Sequence, residues 1–433
     1  MTMNAQLKRI RTEAETAVLE RFAAVEDTLP GKAGTHAARR NSIALFEREG
    51  LPHRRMEQWK YTDLRSMMRE IAPLAETAGA ADVPVPLVDG AIQIVITDGQ
   101  LGELPANLPD HVSVSALADA LANGSVDIAA EATPDTAIQT LNSAFVRDGV
   151  VLNIAEKADI STPIELVFIR SSNPTMSHAR AHVSLGAGSK ATLIERHISP
   201  DQNASQSSVV THYETGAGAE LSILRVQSEG DAATHLGEIT LNLAETSQTK
   251  LLHLVAGAKL ARVETRAVFA GEDAQFDVAG VTMLADRQHS DLTLYVDHLV
   301  PNCESTETFK SVVDDAAKAV FQGKIVVAQD AQKVDAQMAI NTLLLSETAD
   351  MVAKPELEIF ADDVSCAHGA TCGDIDEDLM FYLLARGIEP KQARKLLVQA
   401  FLSEGVELFE GHVFEDVAFH AIEAWLSDHA NRA

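Results

Sequence analysis

The apolar positions of this chain change period twice along its length. Leu7, Ile10, Ala14, Ala17, Val18, Phe22 and Val25 recur every three or four residues, the spacing that gathers one face of an amphipathic helix. Pro30 and Gly31 break that pattern. A second helical stretch, Ala37 to Glu49, carries Ile43, Leu45 and Phe46 and stops at Gly50 and Pro52. Residues 72 to 90 are rich in alanine, proline and glycine and read as a connector. Ile92 to Thr97 reads as a strand and Val114 to Leu121 as a short helix.

From about Val150 to Ile359 the helical period gives way to short strand-like runs. Ile164–Ile169, Ala181–Leu185, Ser208–Tyr213, Leu221–Val226 and Leu292–Val296 are examples, separated by turns of Gly, Ser, Asp and Asn. One turn recurs. Leu185-Gly-Ala-Gly-Ser-Lys is followed 30 residues later by Thr215-Gly-Ala-Gly-Ala-Glu, and more loosely by Ala270-Gly-Glu-Asp-Ala-Gln. A period of this size points to stacked coils, none of which buries its apolar face alone. A β-solenoid satisfies such coils by pairing each with the next, leaving open edges only at its two ends. A β-sandwich is the rival arrangement.

The helical period returns near the carboxy terminus. Leu357, Ile359 and Ala361 alternate with polar residues as the last strand, Pro355 to Val364, and Ser365 to Gly373 reads as a loop by composition. Helices follow over about 376–386, 390–402 and 413–429. Asp374 and Asp376 suit the positive end of the first, and Gly387 its left-handed cap. Pro390 opens the second, whose expected apolar face is Ala393, Leu396, Leu397, Ala400 and Phe401. Phe414, Val417, Ala421, Ile422, Trp425 and Leu426 supply that of the third. The expected fold is mainly β with helical ends. Residues 1–85 form a helical region, 86–149 an α/β connection, 150–364 the strand-rich core, solenoid or sandwich, and 365–433 a helical domain.

Charge and cysteine usage narrow the function. Lys and Arg total 35 against 63 acids, a formal charge of −28, which repels nucleic-acid phosphates and anionic lipid. Three cysteines make no disulfide framework and suit a reducing compartment. No apolar run reaches the roughly 18–20 residues of a spanning helix. Lys8, Arg9 and Arg11 lack an apolar signal core behind them. The expected location is the cytoplasm.

Cys366 and His368 are the leading chemical candidates. A thiolate and an imidazole two residues apart suit a soft metal or an iron–sulfur species, or a nucleophile with its base; an inert thiol and a turn-capping histidine fit as well. Cys366-x5-Cys372 is not a zinc spacing, and Cys303 reads as structural. His178 and His182 share one face of a strand, as metal ligands or as part of a solvated polar side. Asp362 and Asp363 resemble the carboxylates of β-helix lyases, but neighbours on a strand point to opposite faces. Trp59 and Tyr61 read as packing residues with a polar edge. No GxxxxGK[ST] phosphate loop occurs.

The run Cys366-Ala367-His368-Gly369-Ala370-Thr371, then Phe381-Tyr382-Leu383, Arg386-Gly387-Ile388 and Ala393-Arg394, closely resembles the SufB/SufD family of iron–sulfur cluster assembly proteins. Arg54-Arg55-Met56-Glu57-Gln58-Trp59-Lys60-Tyr61-Thr62-Asp63-Leu64 is similar to the amino-terminal signature of the SufD branch, as is the Cys-x-His-Gly-Ala-Thr wording. The resemblance implies a right-handed parallel β-helix that pairs with SufB, and a SufC ATPase docked on the terminal helices near Tyr382, Arg386 and Arg394. It further implies that His368, with Cys366 beside it, faces a SufB cysteine where iron or a nascent cluster is held transiently. The chain then has no resident cofactor and no catalysis of its own, and self-pairs as a homodimer when isolated. The rival is a β-helix hydrolase or lyase using Cys366 with His368, or surface carboxylates.

Overall fold

The computed structural model describes residues 10–128, 136–200 and 203–432. The chain opens with α1 (Glu13–Val25), α2 (Ala33–Glu49) and the single turn α3 (Leu64–Met67). Thr12 and Glu15 close a reciprocal capping box at the start of α1. Leu7, counted in that helix by its spacing, lies outside the described residues, and Ile10 precedes the helix, exposed. There follow β1 (Ile92–Thr97), β2 (Gln100–Leu101), β3 (Val112–Ala116), α4 (Leu117–Asn123) and α5 (Ala137–Phe145).

Sixteen strands then build the body. The first eight are β4 (Asp148–Ile154), β5 (Asp159–Ile169), β6 (Met176–Leu185), β7 (Lys190–Ile198), β8 (Gln206–Thr215), β9 (Glu220–Ser228), β10 (Thr234–Leu243) and β11 (Gln248–Val255). The second eight are β12 (Leu260–Phe269), β13 (Gln275–Leu284), β14 (His289–His298), β15 (Glu304–Val313), β16 (Lys318–Val327), β17 (Asp335–Leu344), β18 (Asp350–Ile359) and β19 (Ser365–Gly373). Even-numbered strands from β4 to β18 pair in parallel in one sheet, and odd-numbered strands from β5 to β19 in the other. Each coil gives one strand to each sheet. The chain is a β-solenoid, not a sandwich.

The recurring turn is the hinge between the two sheets. Gly188 and Gly218 hold φ near +65° there, where an L side chain crowds the backbone. Lys157, Thr246, Asp273, Asn302 and Lys333 take the same conformation in the other coils. These turns bond to one another along the ridge. The amide of Gly188 donates to Ala217 O at 2.9 Å, that of Gly218 to Glu245 O at 2.8 Å, and that of Thr246 to Glu272 O at 2.9 Å.

Inward-facing side chains such as Ile164, Leu193, Ile223, Leu251 and Val278 stack into one continuous core. Each outer face is covered by helices from one end of the chain. Phe22, Trp59, Leu141 and Phe145 pack with Val210, Leu236 and Leu260 of the even sheet. The odd sheet is covered by α7 (Pro390–Ser403), the 3-10 turn Glu404–Phe409 and α8 (Val413–Arg432), with Val398, Leu402, Phe409, Phe414 and Ile422 on Leu224, Leu252 and Val281. The buried face of α7 is thus Ala393, Val398 and Leu402, whereas Leu396 and Ala400, expected inside, are exposed.

The solvated side expected for β6 is also covered. His178 stacks on Phe145 of α5 with centroids 5.0 Å apart, and His182 lies 4.7 Å from the ring of His212. Arg180 between them donates to Asn142 Oδ1 at 3.1 Å and Ser143 Oγ at 2.8 Å. Burial pushes His178 down to about 3 and His182 to about 4, with Arg170 and Arg180 respectively as lesser causes. These are neutral packing groups.

Candidate functional site

The two ends of the solenoid differ. At the amino-terminal end the sheets are extended by β1, β2 and β3, and α4 packs Leu117 and Leu121 near Val151 of β4. At the other end β18 and β19 are the last strands of their sheets, and no described element pairs with their outer edges. The Ser365–Gly373 stretch, expected as a loop, is a nine-residue strand held in register by β17, with Ser365 beside Asp335 and Gly373 beside Leu343. Small residues with weak strand preference form this strand because β17 offers a template of unpaired amides and carbonyls.

The two edge strands have opposite character. β18 carries Pro355, which has no amide to donate, together with Lys354, Glu356 and Glu358. Lys354 is held by Glu57 at 2.7 Å and Glu356 at 3.0 Å. Prolines and charges are how soluble proteins blunt a free edge. β19 reads Ser-Cys-Ala-His-Gly-Ala-Thr-Cys-Gly, with no charge from Asp, Glu, Lys or Arg and no proline. All of it is exposed except half-buried Cys366.

Cys366 and His368 therefore lie on this terminal strand, two apart and on one side. Cys366 abuts the solenoid core, and its strand partner is Ala336. Its thiol is pushed up by burial and then by Asp335, the reverse of what a nucleophile needs. His368 sits beside Met338, which itself sits beside Glu307, so the three form an inward column. Burial pushes the Glu307 carboxyl up to about 8, and no cation pairs with it among the described residues. Cys372 is exposed near the far end of the same strand, and Cys303 is buried in the core. Among the described residues no three His, Cys, Asp or Glu side chains converge as a metal site. Asp362 and Asp363 lie in the bend between β18 and β19, where the amide of Lys333 donates to Asp363 O.

Beyond β19, α6 (Glu377–Ala385) forms a hairpin with α7. Asp376 caps α6, accepting from the amides of Asp378 and Leu379 at 2.8 and 3.1 Å. Gly387 turns the corner at φ +81°, and Pro390 starts α7. No residue of α6 is buried, and Phe381 is 73% exposed, Tyr382 54% and Leu379 53%. Leu384 and Leu396 are exposed as well, and of these residues periodicity assigns Leu396 to the inside. Arg386 donates to Tyr382 Oη at 2.8 Å and lies over its ring, so these two expected contact residues form one unit. Arg394 instead donates to Leu345 O at 2.6 Å and ties the hairpin to the solenoid.

A family profile described as "SUF system FeS cluster assembly, SufBD core domain" matches residues 167–401. The chain belongs to the SufBD core family. The match begins in β5 and ends in α7, so it takes in the open end and the exposed hairpin. The chain is 29% identical to iron–sulfur cluster assembly protein SufD of Escherichia coli over 381 residues, covering 83% of this chain and 86% of that one. It is 30% identical to a SufBD family protein of Synechocystis, covering 84% and 87%. It is 27% identical to the chloroplastic protein ABCI7 of Arabidopsis thaliana, covering 87% and 82%. The assignment to the SufB/SufD family and the likeness to SufD are both borne out. No helix among the described residues is long and apolar enough to cross a membrane.

Proposed function

We propose that this SufBD-family chain is a non-catalytic scaffold subunit of a SUF assembly complex. Its open end pairs with a SufB-type chain, its α6–α7 hairpin docks a SufC-type ATPase, and iron or a nascent cluster is the cargo held transiently at Cys366 and His368. The observation that carries this reading is the uncovered strand β19, which has neither Pro nor Asp, Glu, Lys or Arg and carries both residues, His368 exposed and Cys366 half-buried. A strand left free in this way is completed by a strand from another chain. A partner edge would bring further thiolate or imidazole donors to Cys366 and His368, which the described residues of this chain alone do not supply.

The apolar surface of Leu379, Phe381, Leu384 and Leu396 fits a protein partner rather than water. The lack of a phosphate loop assigns ATP hydrolysis to that partner. Cytoplasmic residence belongs to this proposal and is supported by three free thiols. The hydrolase or lyase reading has less support, because the Cys366 thiol is pushed up rather than activated and the two aspartates lie in a turn.

The test is His368→Ala in the purified complex. An intact complex with cluster yield reduced at least tenfold is expected, and a normal yield contradicts the assignment of cargo to this strand.

A further inference from the structure

Residues 66–73, which run from the end of α3 into the connector, and the leading edge of the even sheet enclose a groove of about 820 Å³. That volume is in the range of small-molecule sites, about 300–1,000 Å³. Its floor is the first residue of each of four successive even strands, Gln206, Thr234, Leu260 and His289. Gln206 fixes the segment above it. Its Nε2 donates to Glu70 O at 2.8 Å, and its Oε1 accepts from the Ala72 amide at 2.9 Å.

The groove gathers cations that the rest of the chain does not neutralise. Acids outnumber lysine and arginine by 63 to 35, so a base usually finds a carboxylate nearby. Lys259, Arg287 and Arg69 line the groove and are exposed, and none makes an ion pair with a described residue. The amide of His289 donates to Lys259 O at 3.0 Å, so Lys259 and Arg287 stand on adjacent coils, about 5 Å apart along the sheet. Arg69 donates through Nε to Ser66 O at 3.3 Å, which leaves its two amino groups free for a ligand. The amides of Arg69, Glu70 and Ile71 likewise have no partner among the described residues. Glu70 is the acid among the lining residues. In the recess beyond Lys259 and Arg287, Asp231 accepts from Gln288 Nε2 at 2.8 Å and Asp315 from the Asp286 amide at 3.0 Å.

His289 adds an acceptor to the floor. Thr62 Oγ1 donates to Asp291, so it accepts from His289 Nε2, 2.9 Å away. The imidazole proton is therefore on Nε2, and the Nδ1 lone pair has no partner among the described residues. Burial keeps this ring neutral by pushing it down to about 4.

We infer that this groove binds a small phosphomonoester, with its phosphate among Lys259, Arg287 and Arg69 and an N–H or O–H of its body on His289 Nδ1. Guanidinium and ammonium groups hold phosphate oxygens by charge-assisted hydrogen bonds, and free backbone amides on the same wall supply further donors. Met68 and Leu260 line the groove between the two polar ends and give the body apolar surface. The net negative charge of the chain repels an extended phosphate backbone, whereas a compact dianion seated among three cations feels the local field. The groove shares no residue with β19 or the α6–α7 hairpin. The inference therefore stands or falls apart from the scaffold reading, and its test needs this chain alone.

The experiment is calorimetric titration of the full-length chain with inorganic phosphate, AMP, adenosine and purine riboside monophosphate, which lacks the amino group of AMP. AMP is expected to bind saturably, and adenosine at least tenfold more weakly. Raising the salt from low to physiological should weaken AMP binding. Lys259→Gln and Arg287→Gln should each weaken AMP at least tenfold, and because both positions are exposed the circular dichroism of the variants should match the parent. Purine riboside monophosphate should bind at least threefold more weakly than AMP, and equal affinity overturns the His289 contact. Equal affinity for AMP and adenosine, or for AMP in the parent and both variants, overturns the phosphate site. Binding of inorganic phosphate alone overturns the phosphomonoester reading, and no saturable binding of phosphate or AMP overturns the inference as a whole.

Discussion

The guanidinium of Arg262 lies 3.8 Å from the centre of the Trp59 ring, and both side chains are fully buried. Arg262 is also held by Asp291 and Glu264, and it donates to Gln58 O at 3.0 Å. Thr62 donates to the same Asp291 carboxylate. The amino-terminal segment is therefore bonded to the middle of the even sheet through a paired buried charge. Its aromatic residue Trp59 is buried in that packing.

Trp59→Ala should cost about 3–5 kcal/mol, the usual range for emptying a buried large aromatic site. Urea unfolding followed by circular dichroism reads this directly. A loss below about 1 kcal/mol contradicts the claim that this segment is integral to the fold.

Glu307 gives the stability a pH-dependent arm. Its folded carboxyl is pushed up to about 8 from an ordinary 4.5, first by burial, so the folded state keeps a proton that the unfolded chain releases. Stability from this group is full below about 4.5 and falls as pH rises toward 8. Glu307→Gln should therefore gain stability over the parent in step with pH across that window, by up to about 1.4 kcal/mol per unit. Denaturation at pH 4.5 and pH 8 checks it, and equal gains at both contradict it.

His178 acts in the opposite direction. Burial, then Arg170, lowers it from 6.5 to about 3, so the unfolded chain takes up a proton that the folded chain refuses. Its contribution is full above 6.5 and is lost as pH falls toward 3. His178→Phe, which keeps a ring against Phe145, should flatten the acid side of the stability profile between pH 6.5 and 4. A parallel profile in the variant contradicts this.

The solenoid was legible in the turn glycines, but only where glycine fills the left-handed position. Gly188 and Gly218 announced two coils, whereas Lys157, Thr246, Asn302 and Lys333 take the same conformation with no shared wording. Neighbouring coils hold them there through stacked turn hydrogen bonds, a tertiary effect that local sequence does not carry. The same holds for β19. Its composition reads as a loop, and pairing with β17 makes it a strand. Cys366 and His368 were legible as a pair, but their place on a free edge was not. Periodicity counted Leu396 as core because a helix pattern marks apolar positions without saying whether the helix's own chain covers them. Helix α5, whose Asn142 and Ser143 hold Arg180, was missed although Ile138, Leu141 and Phe145 recur at helical spacing; at nine residues it is short, and its polar residues Thr140, Asn142 and Ser143 are buried as well.

The most direct test of the scaffold account is the mass, by light scattering after size exclusion, of this chain mixed with its organism's SUF ATPase. The parent is compared with Leu379→Ser/Phe381→Ser, which changes only exposed residues and should shift stability by no more than about 0.5 kcal/mol per site. The account predicts a complex of summed mass for the parent, and at least tenfold weaker association for the folded variant. Equal binding by both, or none by either, would contradict it.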